Sequence, residues 1–168
     1  MKYLLNIIII ISSFSLISNS KSISQTYIDF TANDLEGNEI ILSSLLKNGP
    51  VMIAFWRTWC PSCNEEQKAM NELYSKYKPS GFQYLGINVD NQKSVSKVRA
   101  YVSAHNFTFT VILDTDKKIF EMSGGTDDIM PYSLILSKTG DIIHTRIGFK
   151  SGDENEIENE IKKILNLN

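Results

Sequence analysis

Val51-Met52-Ile53-Ala54-Phe55-Trp56-Arg57-Thr58-Trp59-Cys60-Pro61-Ser62-Cys63 is the stretch that decides how this chain is read. Its first six residues form a continuous apolar run, the pattern of a strand buried on both faces in a parallel sheet. The two cysteines are the only ones in the sequence, and the residues after them have helical spacing. A dithiol at a strand-to-helix corner is read first as a redox site.

A bridge between Cys60 and Cys63 would do little as a staple. Loop entropy gives a ring this small roughly 2 kcal/mol, against nearly 5 for a loop of about 100 residues. Reactivity is better served by the position. With a helix starting near Cys60, its thiol faces the free N–H groups and positive dipole end of the first turn, which favour the thiolate. Lowering a thiol pKa from about 8.5 to about 7 corresponds to roughly 2 kcal/mol of preference for the charged form. Pro61 suits the first helical position, where its missing N–H costs nothing. Cys63 follows one turn along, partly shielded and within reach of Cys60.

Outward from the motif, strands and helices alternate. Short strands are predicted at Tyr27–Phe30 and Glu39–Leu42 around the turn 34–38, with Ser43 capping a short helix that ends at Gly49. A helix from Pro61 to Lys78 carries Met70, Leu73, Tyr74 and Tyr77 on one stripe. Strand Phe82–Val89, a helix capped by Ser94 and strand Phe109–Leu113 follow, then a short helix over Lys117–Met122 stopped by Gly124-Gly125. A hairpin of Tyr132–Leu136 with Ile142–Ile147 precedes a last amphipathic helix from Asp153 to Leu165. This order predicts an α/β fold, a central mixed sheet flanked by helices on both faces.

At 168 residues and 42% hydrophobic content the chain fits one ordinary domain, placed at 27–168. Met1-Lys2-Tyr3, the run Leu4 to Ile11 and then Phe14, Leu16 and Ile17 read as a basic n-region and an apolar h-region. Ser18 and Ser20 place a signal-peptide cleavage after Ser20, leaving 21–26 as a flexible leader. Retention as an uncleaved anchor is the alternative, with Lys21 flanking a stretch just short of the ~20 apolar residues that span a bilayer. No cysteine follows the h-region, which excludes a lipoprotein anchor. The expected location is periplasmic or otherwise exported. Net charge is −2, and cleavage would leave 16 basic against 19 acidic residues, so no nucleic-acid partner is indicated. In an oxidising compartment an exposed dithiol stays reduced only if a partner keeps it so.

The sequence resembles a thioredoxin-fold protein over nearly all of the mature chain. Phe55 to Cys63 matches the family's active-site strand end and motif, and Met130-Pro131 before Tyr132–Leu136 matches its cis-proline loop. The leader Phe30 to Gly37, and Gly86-Ile87-Asn88-Val89-Asp90 with an extra helix behind it, resemble the exported TlpA/ResA-like branch, which includes cytochrome c maturation reductases. The resemblance implies thiol-disulfide exchange with a redox-active Cys60-Cys63 disulfide and no other cofactor. Cys60 is the nucleophile it implies and Cys63 the resolving residue, with Trp59, Met130 and a cis Pro131 binding the partner segment. Glu66 matches an acidic residue that the branch keeps near the dithiol, and its implied role is to shuttle a proton to and from Cys63. Implied partners are a disulfide-containing protein, such as an apocytochrome c, and a membrane thiol protein that donates electrons. The protein is expected to be a monomer.

Departures from the pattern bear on the chemistry. Ala54 stands where thioredoxin itself has a buried aspartate, so that proton acceptor is missing. Gln67-Lys68 replaces a kink proline, which predicts a straighter helix. Arg57 replaces a small residue and is read either as favouring thiolate or an acidic partner, or as a solvated charge. Strongly oxidising relatives carry a histidine between the cysteines; Pro61-Ser62 has a weak hydroxyl donor instead, which tilts the direction towards reduction. The alternatives are a disulfide-forming oxidant, a thiol peroxidase, whose lone cysteine in a proline-threonine context is not seen, and a non-catalytic binding module with an inert dithiol. A metal site would need His105 or His144 to converge on the cysteines from distant segments, so none is expected.

Overall fold

The computed structural model describes residues 26–126 and 130–167. The cleavage expected after Ser20 and the leader through Gln25 lie outside the described residues. The elements run β1 (Thr31–Asn33), β2 (Glu39–Ile41), α1 (Leu42–Asn48), β3 (Val51–Trp56), α2 (Pro61–Tyr77), β4 (Gln83–Asn88), α3 (Val95–Ala104), β5 (Thr110–Leu113), α4 (Lys118–Met122), β6 (Tyr132–Leu136), β7 (Ile142–Ile147) and α5 (Asp153–Ile164).

Five strands form one sheet in the order β5-β4-β3-β6-β7. The β3–β4 and β4–β5 pairs are parallel, whereas β3–β6 and β6–β7 are antiparallel, as the hairpin requires. The apolar run Val51–Trp56 takes the central place, and every one of its residues is fully buried. Alternation of side chains sorts it between two cores. Met52, Ala54 and Trp56 face α2, α3 and α5 through Met70, Leu73, Val98, Ile157 and Ile161. Val51, Ile53 and Phe55 face α1 and α4 through Leu42, Leu46, Ile119 and Phe120. The fold is the α/β sheet covered on both faces that the sequence predicts.

Three local readings change, one of them at Ser94, which stands at the N-cap of α3 but makes no side-chain cap hydrogen bond. The first strand is Thr31–Asn33, not Tyr27–Phe30, because Tyr27 and Phe30 are spent on the second core. The Tyr27 N–H pairs with the carbonyl of Gly140 instead. Ser43 does not cap α1: the Asp29 carboxylate takes the Ser43 N–H at 2.9 Å from outside the helix. Gly49 ends α1 with extended backbone, and its need for glycine is steric, since a Cβ there would sit 1.8 Å from the Gly81 carbonyl oxygen. Helix α2 runs unbroken over its 17 residues, with Gln67-Lys68 in place of a kink.

Candidate active site

β3 delivers the chain to the dithiol through a loop that is clamped from the end of β4. Asp90, nearly buried, accepts the Thr58 N–H at 3.0 Å and the Thr58 hydroxyl at 2.7 Å, and the Asn88 amide reaches the same oxygen at 3.4 Å. Asn64 on α2 donates to the Thr58 carbonyl from the other side at 3.3 Å. Cys60 therefore enters the helix in a fixed pose. It is the N-cap residue of α2, with Pro61 in the first turn, and its sulfur accepts the backbone N–H of Cys63 at 3.2 Å. A disulfide joins Cys60 to Cys63. Cys60 retains 7% exposure while Cys63 has none, so Cys60 is the residue of the pair that borders the surface.

The peptide bond between Met130 and Pro131 is cis, at the head of β6. Ser62 ties this loop to the motif: its hydroxyl lies 3.5 Å from the Cys60 sulfur and donates to the Met130 carbonyl at 3.4 Å. The Pro131 carbonyl is held by the Gly148 N–H at 2.8 Å. Trp59 projects with 69% exposure, and the Arg57 guanidinium lies 5.1 Å from its ring centroid. Arg57 itself is 9% exposed, which corrects the reading of it as a solvated charge. Ile147, beside Gly148, adds an exposed apolar side chain on the same loop cluster.

Beneath the disulfide, α2 turns two polar side chains into the sheet. Glu66 is 1% exposed, so it is not a solvated helix acid. Burial pushes its carboxyl up from the usual carboxylate range to about 8; the Ser133 hydroxyl and Arg146 guanidinium hold it back, and Asp153 pushes it further. Ser133 lies near enough to favour the charged form, short of a hydrogen bond of normal geometry. Gln67, fully buried, accepts the Tyr84 hydroxyl at 3.0 Å.

The room for these groups comes from one row across the sheet. Val111, Gly86, Ala54, Ser133 and Arg146 are successive register partners on β5, β4, β3, β6 and β7. Three small side chains in the middle of that row leave space under α2. A Cβ on Gly86 would meet Phe109 at 2.9 Å, Trp56 Nε1 at 3.3 Å and Gln67 Oε1 at 3.4 Å. The sequence reading named Glu66 but missed Gln67, Tyr84, Ser133 and Arg146. Two of these positions carry a signal: glycine inside a strand, as at Gly86, marks a close approach, and serine within the apolar run of β6 marks a polar contact.

The two histidines do not join the cysteines. His105 ends α3, with Nδ1 2.9 Å from the Tyr101 carbonyl, and His144 on β7 lies 3.2 Å from Glu160. Among the described residues no three histidine, cysteine or acidic side chains are grouped to hold a metal. What the arrangement can do is exchange disulfides: a capped, reachable sulfur, a buried sulfur bonded to it, and a nearly neutral buried acid.

Comparison with known proteins agrees with this chemistry. The model of the AhpC/TSA family matches residues 23–145. Thiol-disulfide oxidoreductase ResA from Bacillus thuringiensis (strain Al Hakam) and its counterpart from Bacillus anthracis are each 33% identical over 136 residues, spanning 81% of this chain and 75% of theirs. Among solved structures, a putative thiol:disulfide interchange protein DsbE from Chlorobium tepidum superposes with a TM-score of 0.76 at 25% identity, covering 84% of this chain and 96% of that one. A putative thioredoxin from Neisseria meningitidis gives 0.71 at 28% identity, covering 85% and 91%. This chain belongs to the AhpC/TSA family, in its ResA-like branch of thioredoxin-fold thiol-disulfide oxidoreductases.

Proposed function

We propose that this protein is an exported reductase of disulfides in partner proteins. The observation that carries the reading is the asymmetry of the pair: the reachable Cys60 sulfur caps α2, and Cys63 is sealed behind it. In the reduced protein the same N–H and helix end stabilise a Cys60 thiolate. That thiolate attacks one sulfur of the partner's disulfide, forming a mixed disulfide as the partner's other sulfur leaves. The Cys63 thiol then gives its proton to Glu66 and attacks Cys60. The Cys60–Cys63 bond forms, the mixed disulfide breaks, and the partner departs with two electrons, its two sulfurs taking their protons from water.

A carboxyl near pKa 8 takes up and releases a proton close to neutral pH, which suits it to a shuttle beside a thiol. In the oxidised state at neutral pH Glu66 holds a proton, ready for the Cys63 sulfur when a donor reopens the bridge. Trp59, Met130 and Pro131 form the docking rim, with the Met130 backbone offered to an extended partner segment. No cofactor beyond the disulfide takes part. The donor in this reading is a membrane thiol protein. One candidate acceptor is the cysteine pair of an apocytochrome c, which the ResA-like relationship supports. The N-terminal apolar segment supports export, cleaved or kept as an anchor; no described helix is long and apolar enough to cross a membrane.

Pro61-Ser62 between the cysteines, without a histidine, favours reduction over oxidation. The test is a trapping experiment. Cys63→Ser is expected to accumulate a mixed disulfide with a disulfide-bonded substrate, whereas Cys60→Ser traps nothing and has no reductase activity. A protein that traps no partner in either variant, with an intact fold, would be a binding module.

A further inference from the structure

We propose that Arg146 is a positioning residue for the proton chemistry of Cys63: its guanidinium, fixed beneath α5, sets how readily Glu66 releases and regains a proton. The proposal rests on reading Glu66 as the proton shuttle.

The sheet register supplies the geometry. Arg146 on β7 is the direct partner of Ser133 on β6, and Ser133 is the direct partner of Ala54 on β3. Side chains of register partners emerge on one face, here the face that α2 covers. Arg146 therefore leaves the sheet at the level of Ser133, the serine beside Glu66. Its side chain is 13% exposed and runs under α5, where Glu156 takes it at 3.1 Å and Asp153 and Glu160 stand at 4.0 Å. Glu160 is steadied in turn by His144 at 3.2 Å. Three acids of α5 hold the guanidinium beside that helix.

The charge acts through a dry seam. Ile157 and Ile161 of α5 are fully buried against the same cluster as Met70 and Leu73 of α2. Screening by solvent is weak there, so charges that do not touch Glu66 still reach it. Arg146 favours the Glu66 carboxylate and Asp153 opposes it. The other elements packed on Glu66 bring little charge to the balance. β3 offers Ala54, β6 offers Ser133, and Tyr84 of β4 stays a neutral phenol because burial and Glu66 raise its pKa well above the ordinary value. On α2 itself Cys63, three residues before Glu66, is held in the disulfide and carries no charge.

The test follows the Glu66 carboxyl by carbon-13 NMR in the oxidised protein, assigned with Glu66→Gln, alongside the pH profile of release from the mixed disulfide. Arg146→Gln is expected to move the Glu66 midpoint up by about half a pH unit or more, with Arg146→Lys restoring most of it. Asp153→Asn is expected to move it down. The release profile should shift by the same amount as the midpoint. Loosening of the seam would admit water and move the midpoint down in Arg146→Gln as well, so a downward shift, or none, overturns the proposal. If release slows in Glu66→Gln while the midpoint stays put in Arg146→Gln, the shuttle stands and the role of Arg146 fails. If release is untouched in Glu66→Gln, the shuttle reading fails and the role of Arg146 in release fails with it.

Discussion

The sulfur of Cys60 accepts the backbone N–H of Cys63 at 3.2 Å, so the reachable cysteine caps the helix that carries its own resolving partner. In the proposed exchange one short contact thus serves both steps. It favours charge on the attacking sulfur, and it keeps the second sulfur within bonding range of the first.

Reduction of the disulfide should leave two thiols of unequal character. Cys60, capping α2 with the Cys63 N–H on its sulfur, is expected to ionise at lower pH than an ordinary thiol and to react quickly with a small alkylating agent. Cys63, sealed from solvent, should resist the same reagent. Alkylation rate against pH, with the modified residue located by mass spectrometry, checks both; equal modification of the two cysteines would contradict the asymmetry.

Ser62 sits between the Cys60 sulfur and the Met130 carbonyl. Ser62→Ala removes the hydroxyl that can turn its proton from the Met130 carbonyl to a charged Cys60 sulfur, and is expected to slow attack by a few fold, equivalent to about 0.5–1 kcal/mol. Ser62→His places a cation beside the thiolate and should raise the reduction potential by roughly 30 mV or more, about 1.4 kcal/mol. Equilibration with glutathione reads the second effect; an unchanged potential would mean that the residues between the cysteines do not set the direction.

Glu66 should also mark the pH dependence of stability. Its carboxyl titrates near 8 in the folded protein against 4.5 for an ordinary glutamate. Between those values the folded state holds a proton that the unfolded state has lost, so stability falls as pH rises, by about 1.4 kcal/mol per pH unit from this group. Over the whole window the loss is of order 4–5 kcal/mol, and above about pH 8 it stops growing. Glu66→Gln should flatten that slope in urea unfolding of the oxidised protein measured from pH 5 to 9; a slope equal to that of the parent would place the perturbed acid elsewhere.

Helix α5 is the cover of the proton site, and Ile157 is its fully buried anchor. Ile157→Ala is expected to cost about 2–5 kcal/mol in chemical unfolding. By letting water towards Glu66 it should also lower that carboxyl's midpoint. Loss of stability with the midpoint unmoved would show that α5 holds the fold without keeping the acid dry.

The dithiol corner, the central strand and the final hairpin were legible because each is written in local pattern: an apolar run, a proline after the first cysteine, a turn around Gly140. The hairpin strands fall at Tyr132–Leu136 and Ile142–Ile147, the residues read from the sequence. Asp29 as the cap of α1 was not legible, because a carboxylate 14 positions before the N–H it serves leaves no local mark. The floor beneath Glu66 escaped for the same reason. Gly86, Ala54, Ser133 and Arg146 lie on four strands spread from position 54 to position 146, and only the sheet register lines them up. Glu66 itself was found by resemblance; its burial became visible once the small residues opposite it were in place.

The equilibrium reduction potential of the Cys60/Cys63 pair, titrated against dithiothreitol or glutathione with Cys60→Ser as control, tests the proposed direction of electron flow most directly. An exported reductase requires a value near or below about −230 mV, in the thioredoxin range; a value near −120 mV would make the protein an oxidant and contradict it.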